Sequence, residues 1–270
     1  MDSKIPRRII HVWGGGEHDL SLASKAAIVN VKLLNPDFEY LFFDDARIES
    51  FTNEHFPEYQ SLFHSFRVPI QRYDFFRYLA VYHFGGFYLD LDVFLASSIS
   101  DLLKFGCVFS FEELTINSFL RREYGMDWEI GNYAFGAAAG HPFIHAIIKN
   151  CVKAQKDSQW VHLMMRSIPR MFREEYYVLY TTGPGLVSRT LAEYPDATNQ
   201  VKVLFPENVC DKNNWNQFGK FGTHLAIGKW RSKPLNVWQH FKRFIRGKWF
   251  ANLQEKQMKA SREKGPKRSL

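Results

Sequence analysis

A chain of 270 residues with 46% apolar content can bury one large core, and its 16% aromatic share, with 25 Phe, is high. The net charge of +7 gathers at one end: ten of the 35 Lys and Arg lie in 241–270 against Glu255 and Glu263 alone, leaving 25 basic and 26 acidic residues before them. That distribution speaks against a basic nucleic-acid surface. No run reaches the roughly 18 apolar residues of a membrane span, and Cys107, Cys151 and Cys210 are too scattered for a disulfide framework or a Cys-x-x-Cys metal site.

Ile9 to Trp13 is an apolar run halted by Gly14-Gly15-Gly16, which predicts a buried strand feeding a loop. Ser21 caps a helix that ends near Asn35-Pro36, and Phe38 to Phe43 is a second strand. Strand, helix and strand with short connections open a parallel α/β sheet. Pro69 starts a helix to Phe84, Gly85-Gly86 stops it, and Phe87 to Leu95 reads as a single strand. Cys107–Phe111, Tyr133–Ala138 and Val201–Phe205 read as further strands, and Pro142–Ala154 and Gly185–Glu193 as helices. The polar stretch with Asn117, Arg121, Arg122 and Glu123 is helix or loop, and the chain from Ser261 onward is too polar to be expected to order. The expected division is a catalytic body over 1–232 and a basic amphipathic helix and tail over 233–270. With no signal peptide visible, a cytoplasmic chain is expected.

Within a strand, Asp90 and Asp92 project from one face while Leu89, Leu91 and Val93 face the other. An isolated Asp-x-Asp is common and most are solvated turns. This pair is embedded in FYLDLDVFL, where two like charges need a positive partner. A divalent cation, Mn²⁺ or Mg²⁺, bridging both carboxylates to a diphosphate supplies one. On the preceding helix, Asp74 and Arg77 lie three apart and share a face. They form an intrahelical ion pair, or they hold ribose, sugar and phosphate oxygens.

The run YDFFRYLAVYHFGGFYLDLDV resembles the sugar-binding region of the glycosyltransferase family that includes the fungal initiating α-1,6-mannosyltransferases and the eukaryotic α-1,4-galactosyltransferases; the clan includes the clostridial glucosylating toxins. The matching residues are Asp74, Arg77, Gly85-Gly86, Tyr88, Asp90 and Asp92. IPRRIIHVWGGG looks like the family's first strand, Asn132 with AFGAAAGHPF and Thr182-Gly183-Pro184 are similar to later blocks, and His224 and Trp230 to its C-terminal His and Trp. The resemblance implies a GT-A fold with a Rossmann-like, mostly parallel sheet flanked by helices. It also implies a nucleotide-sugar donor, Mn²⁺ or Mg²⁺, and retention of configuration. By carry-over Trp13 stacks on the base, Asp74 and Arg77 hold sugar and ribose, and Tyr88 and Asn132 line the donor site. Asp90 contacts ribose and the metal, Asp92 ligates the metal directly, His224 is a candidate further ligand, and Trp230 touches the diphosphate. Arg77 is counted with the two aspartates as catalytic. Lys229 stands where the family more often has Ser before that Trp.

The expected reaction moves a hexose from a UDP-hexose, or from GDP-mannose, to a glycan or lipid-linked saccharide. The alternatives are an effector-type glycosyltransferase acting on a protein, and a basic membrane or nucleic-acid adaptor without catalysis. The roughly helical spacing of Trp238, Phe241, Phe244, Ile245, Trp249 and Leu253 among basic residues is that of a final helix packed on the body, or of a peripheral membrane contact over 234–255.

Overall fold

The computed structural model describes residues 4–226 and 237–264. In chain order the elements are β1 (Arg8–Val12), α1 (Leu22–Leu34), β2 (Glu39–Phe43), α2 (Asp45–His55), α3 (Gln60–Ser65), α4 (Pro69–Phe84), β3 (Gly86–Leu89), β4 (Val93–Leu95), β5 (Cys107–Leu114), α5 (Ser118–Tyr124) and β6 (Trp128–Ala137). There follow α6 (Pro142–Lys156), α7 (Ser158–Met165), α8 (Arg173–Thr181), α9 (Pro184–Glu193), α10 (Ala197–Gln200), β7 (Lys202–Leu204), β8 (Gly222–His224) and α11 (Val237–Lys264).

The opening unit follows its local signals. The Ser21 hydroxyl accepts from the Ser24 amide at 3.1 Å, and the Asn35 amide closes α1 on the Val31 carbonyl. Asn117 likewise caps α5, accepting from the amides of Phe119 and Leu120, so the undecided polar stretch is a short helix.

Six strands form the main sheet in the order β2-β1-β3-β6-β5-β7. β1 is parallel to β2 and β3, β5 is parallel to β7, and β6 runs antiparallel to both its neighbours. This is the mixed, mostly parallel, helix-flanked sheet expected. Alternation divides its side chains: Ile10, Tyr88, Phe109 and Phe135 belong to one core with α4, α6 and α9. Ile9, Phe87, Val108 and Ala134 belong to a second core with Val31 of α1 and with Phe218 and Phe221. Phe109 and Phe135 stack at 4.9 Å across β5 and β6. Each such buried ring contributes about 1.5–3 kcal/mol of transfer free energy.

Two expectations need correction. Phe87 to Leu95 is not one strand. β3 ends at Leu89, the Asp90 amide makes a last bond to Tyr133 at 2.7 Å, and a turn over Leu91-Asp92 closes with Val93 N to Asp90 O at 3.0 Å. Beyond it β4 leaves the main sheet and pairs antiparallel with β8. The ladder beside β3 ends where β6 bulges: over one residue step of β5 the partner on β6 moves from Gly131 to Phe135. The helix near the C-terminus also runs past Ser261, to Lys264. Ile245, Trp249, Phe250, Leu253 and Met258 pack against the first core, and the Gln254 amide donates to Glu113 at 2.8 Å. Residues 245–258 therefore turn apolar side chains toward the body rather than outward. The boundary expected at 232/233 lies outside the described residues.

Candidate active site

α4 ends where the chain must turn sharply into β3. Gly85 and Gly86 have φ of +65° and +101°, and a Cβ at Gly86 would sit 2.7 Å from the Arg8 carbonyl oxygen. Glycine there lets β3 lie against β1, which aims the end of β3 at Asp74 and Arg77 of α4. Both charged residues are 5% exposed, so each must be answered by partners. Arg77 meets Asp74 at 2.8 Å and Asp90 at 3.3 Å, donates to the Asn132 carbonyl at 2.9 Å, and lies over the Tyr88 ring at 4.5 Å. Asp74 also accepts from the Thr182 hydroxyl at 2.9 Å and from the Asn132 amide at 3.4 Å. The Tyr78 hydroxyl accepts from Asn132 and donates to the Thr182 carbonyl at 2.7 Å.

Burial pushes the Asp74 carboxyl up, against the pull of Arg77 and the Thr182 hydrogen bond. Burial alone would lower the Arg77 pKa, but Tyr88, Asp90 and Asp74 together raise it, so the guanidinium stays charged. Of the two accounts of the pair held open by the sequence, the ion pair is present, and it reaches beyond the helix to the first aspartate of the motif.

The turn at Leu91-Asp92 and the β4–β8 ladder, with Val93 opposite His224, bring three side chains together. His224 Nε2 lies 3.1 Å from Asp92 Oδ1 and 3.9 Å from Asp90 Oδ2. One ligand atom from each of Asp90, Asp92 and His224 fits within 4.8 Å of the others. The imidazole stacks on Tyr133 at 4.3 Å and 14°, and the Tyr133 hydroxyl is anchored to the carbonyls of Gln217 and Phe111. The Tyr88 hydroxyl donates to Asp90. Burial works against a proton on His224, but the hydrogen bond to Asp92 and the charges of Asp90, Asp92 and Glu112 outweigh it and raise its pKa. Two carboxylates and one imidazole whose ligand atoms converge in this way fit a divalent cation.

The other expected residues are placed as follows. Trp13 leaves the end of β1 half-buried and packs with Leu20, Ile28, Phe42 and Leu91, the residue between the aspartates. Tyr88 and Asn132 sit against Arg77, and both work inside the protein as partners of the charged groups. Trp230 lies outside the described residues, as does Lys229. Tyr133 was not singled out by the sequence, and Thr182 only within its Thr-Gly-Pro block. Tyr133 emerges from the β6 bulge, which no periodicity announces. A cavity of about 760 Å³ is lined among others by Trp128, Phe205, Gln217 and Phe221, and the Gln217 carbonyl accepts from Tyr133 of the site.

Residues 23–109 match the family model described as a glycosyltransferase sugar-binding region containing a DXD motif. Inositol phosphoceramide mannosyltransferase 1 of Schizosaccharomyces pombe is 29% identical over 237 residues, 87% of this chain and 65% of that protein. A mannosyl phosphorylinositol ceramide synthase of Saccharomyces cerevisiae is 27% identical over 67% of this chain and 43% of its own length. The chain thus spans about two thirds or less of these relatives. The solved PaToxG glycosyltransferase aligns with a TM-score of 0.47 and 17% identity over 70% of this chain and 69% of that one. The similarity to the glycosyltransferase sugar-binding region containing a DXD motif thus lies in residues 23–109, with Asp90-Leu91-Asp92 as the motif.

Proposed function

We propose that the chain transfers a hexosyl group from a nucleotide diphosphate sugar to a hydroxyl of a lipid-linked saccharide or glycan, with Mn²⁺ held by Asp90, Asp92 and His224. The observation that carries the reading is the convergence of these three groups beside the buried Asp74–Arg77 pair. A bound divalent cation neutralises charge developing on the departing diphosphate. In the proposed reaction Trp13 stacks on the base, Asp74 receives sugar or ribose hydroxyls, and Arg77 adds fixed positive charge facing Asp90. The acceptor oxygen bonds to the anomeric carbon as the bond from that carbon to the phosphate oxygen breaks. The bonding pair leaves on the diphosphate, which takes the hydroxyl proton on the same face and so retains the configuration.

The names of the yeast relatives speak for a mannosyl group and hence for GDP-mannose, rather than the UDP-hexose expected from the sequence alone. Calorimetric titration with GDP and UDP, each with and without Mn²⁺, tests both points. The expected result is binding that requires Mn²⁺ and at least tenfold preference for GDP. Preference for UDP returns the donor to a UDP-hexose, and metal-independent or absent binding of both overturns the reading.

A further inference from the structure

The inner side of α1 is fixed to the strand pair that carries the site. Asn30 donates to the Leu95 carbonyl at 3.1 Å and accepts from the Leu95 amide at 2.7 Å, while Ala27 and Val31 are fully buried. The outer side is not what a solvated helix presents. Leu22, Val29 and Leu33 are 86%, 55% and 73% exposed, and Ala26 is exposed with them. Their spacing of four, three and four residues places all four on one stripe. α1 contains no acidic residue, and its two charged groups, Lys25 and Lys32, are both exposed. Near its ends, Asp19 faces His18 and Asp37 faces Arg7. The side of α11 with Ile245, Trp249 and Leu253, which the sequence offered for lipid, is packed on the core.

We propose that α1 is an interfacial helix: Leu22, Ala26, Val29 and Leu33 enter the apolar boundary of an anionic lipid surface, and Lys25 and Lys32 meet its phosphates. The stripe is one helix wide and has neither the aromatic nor the arginine anchors that mark the centre of a protein interface. An apolar stripe beside two lysines, on a helix that itself carries no carboxylate, has the composition that lipid headgroups attract. The link to catalysis rests on the function proposed above. Because α1 clamps β4, the lipid surface would stand about one helix diameter, ~10 Å, from the β4–β8 pair that begins beside Asp92 and ends at His224, within reach of a lipid-linked acceptor.

Flotation of the full chain with phosphatidylcholine vesicles, and with vesicles carrying roughly one part phosphatidylserine in four, tests the proposal. Wild type is expected to float at least fivefold more with the anionic vesicles. The triple variant L22S/V29S/L33S is expected to lose at least nine tenths of that binding, and K25S/K32S the preference for anionic lipid. K256S/K259S, a change of equal charge on α11, should leave flotation unaltered. Wild-type flotation by the triple variant overturns the proposal. So does the absence of flotation by wild type, or a wild-type dimer that the triple variant converts to monomer without any lipid binding. Mn²⁺-dependent nucleotide binding is measured on the same preparations. Its retention in the triple variant shows an intact fold, and its absence from a wild type that still floats overturns the transferase reading while leaving the lipid surface standing.

Discussion

Asp92 is the side chain on which the candidate site turns, because it is the closer of the two carboxylates to His224, at 3.1 Å. Replacing it by Ala should lower transfer by ~10²–10³-fold and abolish Mn²⁺-dependent nucleotide binding, with excess metal giving no rescue. Turnover within a factor of two of wild type would remove Asp92 from the metal site. The sequence showed the two aspartates and their partners Asp74 and Arg77, because charges inside an apolar pattern stand out. It gave the wrong reason for their convergence: a turn and a bulge join them, not the alternation of one strand. His11 shows the opposite lesson. It stands in the matching first strand, yet it is fully buried and bonded to the Tyr40 hydroxyl at 3.0 Å, a core histidine. Burial, with the charge of Lys32, lowers its pKa from 6.5 to about 3. Below pH 6.5 the unfolded chain therefore binds a proton that the folded chain refuses, and stability falls by about 1.4 kcal/mol per pH unit from this group as pH drops toward 3. Burial raises the pKa of Glu129, which acts in the opposite sense as the pH falls. The comparison is thus between slopes: melts of His11→Gln over pH 4 to 6.5 should lose stability less steeply than wild type, and equal slopes would refute the assignment.

At the scale of elements, the passage from α4 to β3 is the joint that aims the site. Gly86 has φ of +101° and lies against the Arg8 carbonyl, so an added methyl group meets both backbone strain and a hard contact. Gly86→Ala should cost on the order of 2–4 kcal/mol by denaturant unfolding and lower nucleotide affinity through displaced β3. A loss under 0.5 kcal/mol would show that the joint is not strained. This element was readable in advance, to the residue: Pro at the start, Gly-Gly at the stop and a continuous apolar body bound α4 at Pro69 and Phe84. β4 and β8 were not separable, because a three-residue ladder has too few residues to show a period, and its partner lies far along the chain.

For the molecule as a whole, α11 is a strap across the first core. Trp249 meets Phe172 at 5.7 Å, and the Arg262 guanidinium donates to the Cys210 carbonyl at 3.3 Å. Ending the chain at residue 244 should lower the melting temperature by several degrees and raise binding of an apolar dye, since Trp249, Leu253 and their partners would face water. An unchanged melt would mean that the helix rests on the body without holding it. The β4–β8 ladder carries a different consequence. Asp92 and His224 are far apart in sequence, so any ion they share ties the front half of the chain to its back half. Such an ion is a cross-link as well as a reagent, and it stabilises the folded chain by RT ln(1 + [M]/Kd). Chelation should therefore lower the melting temperature of this protein without any sugar present, and a heat scan reports the state of the site before its substrates are known.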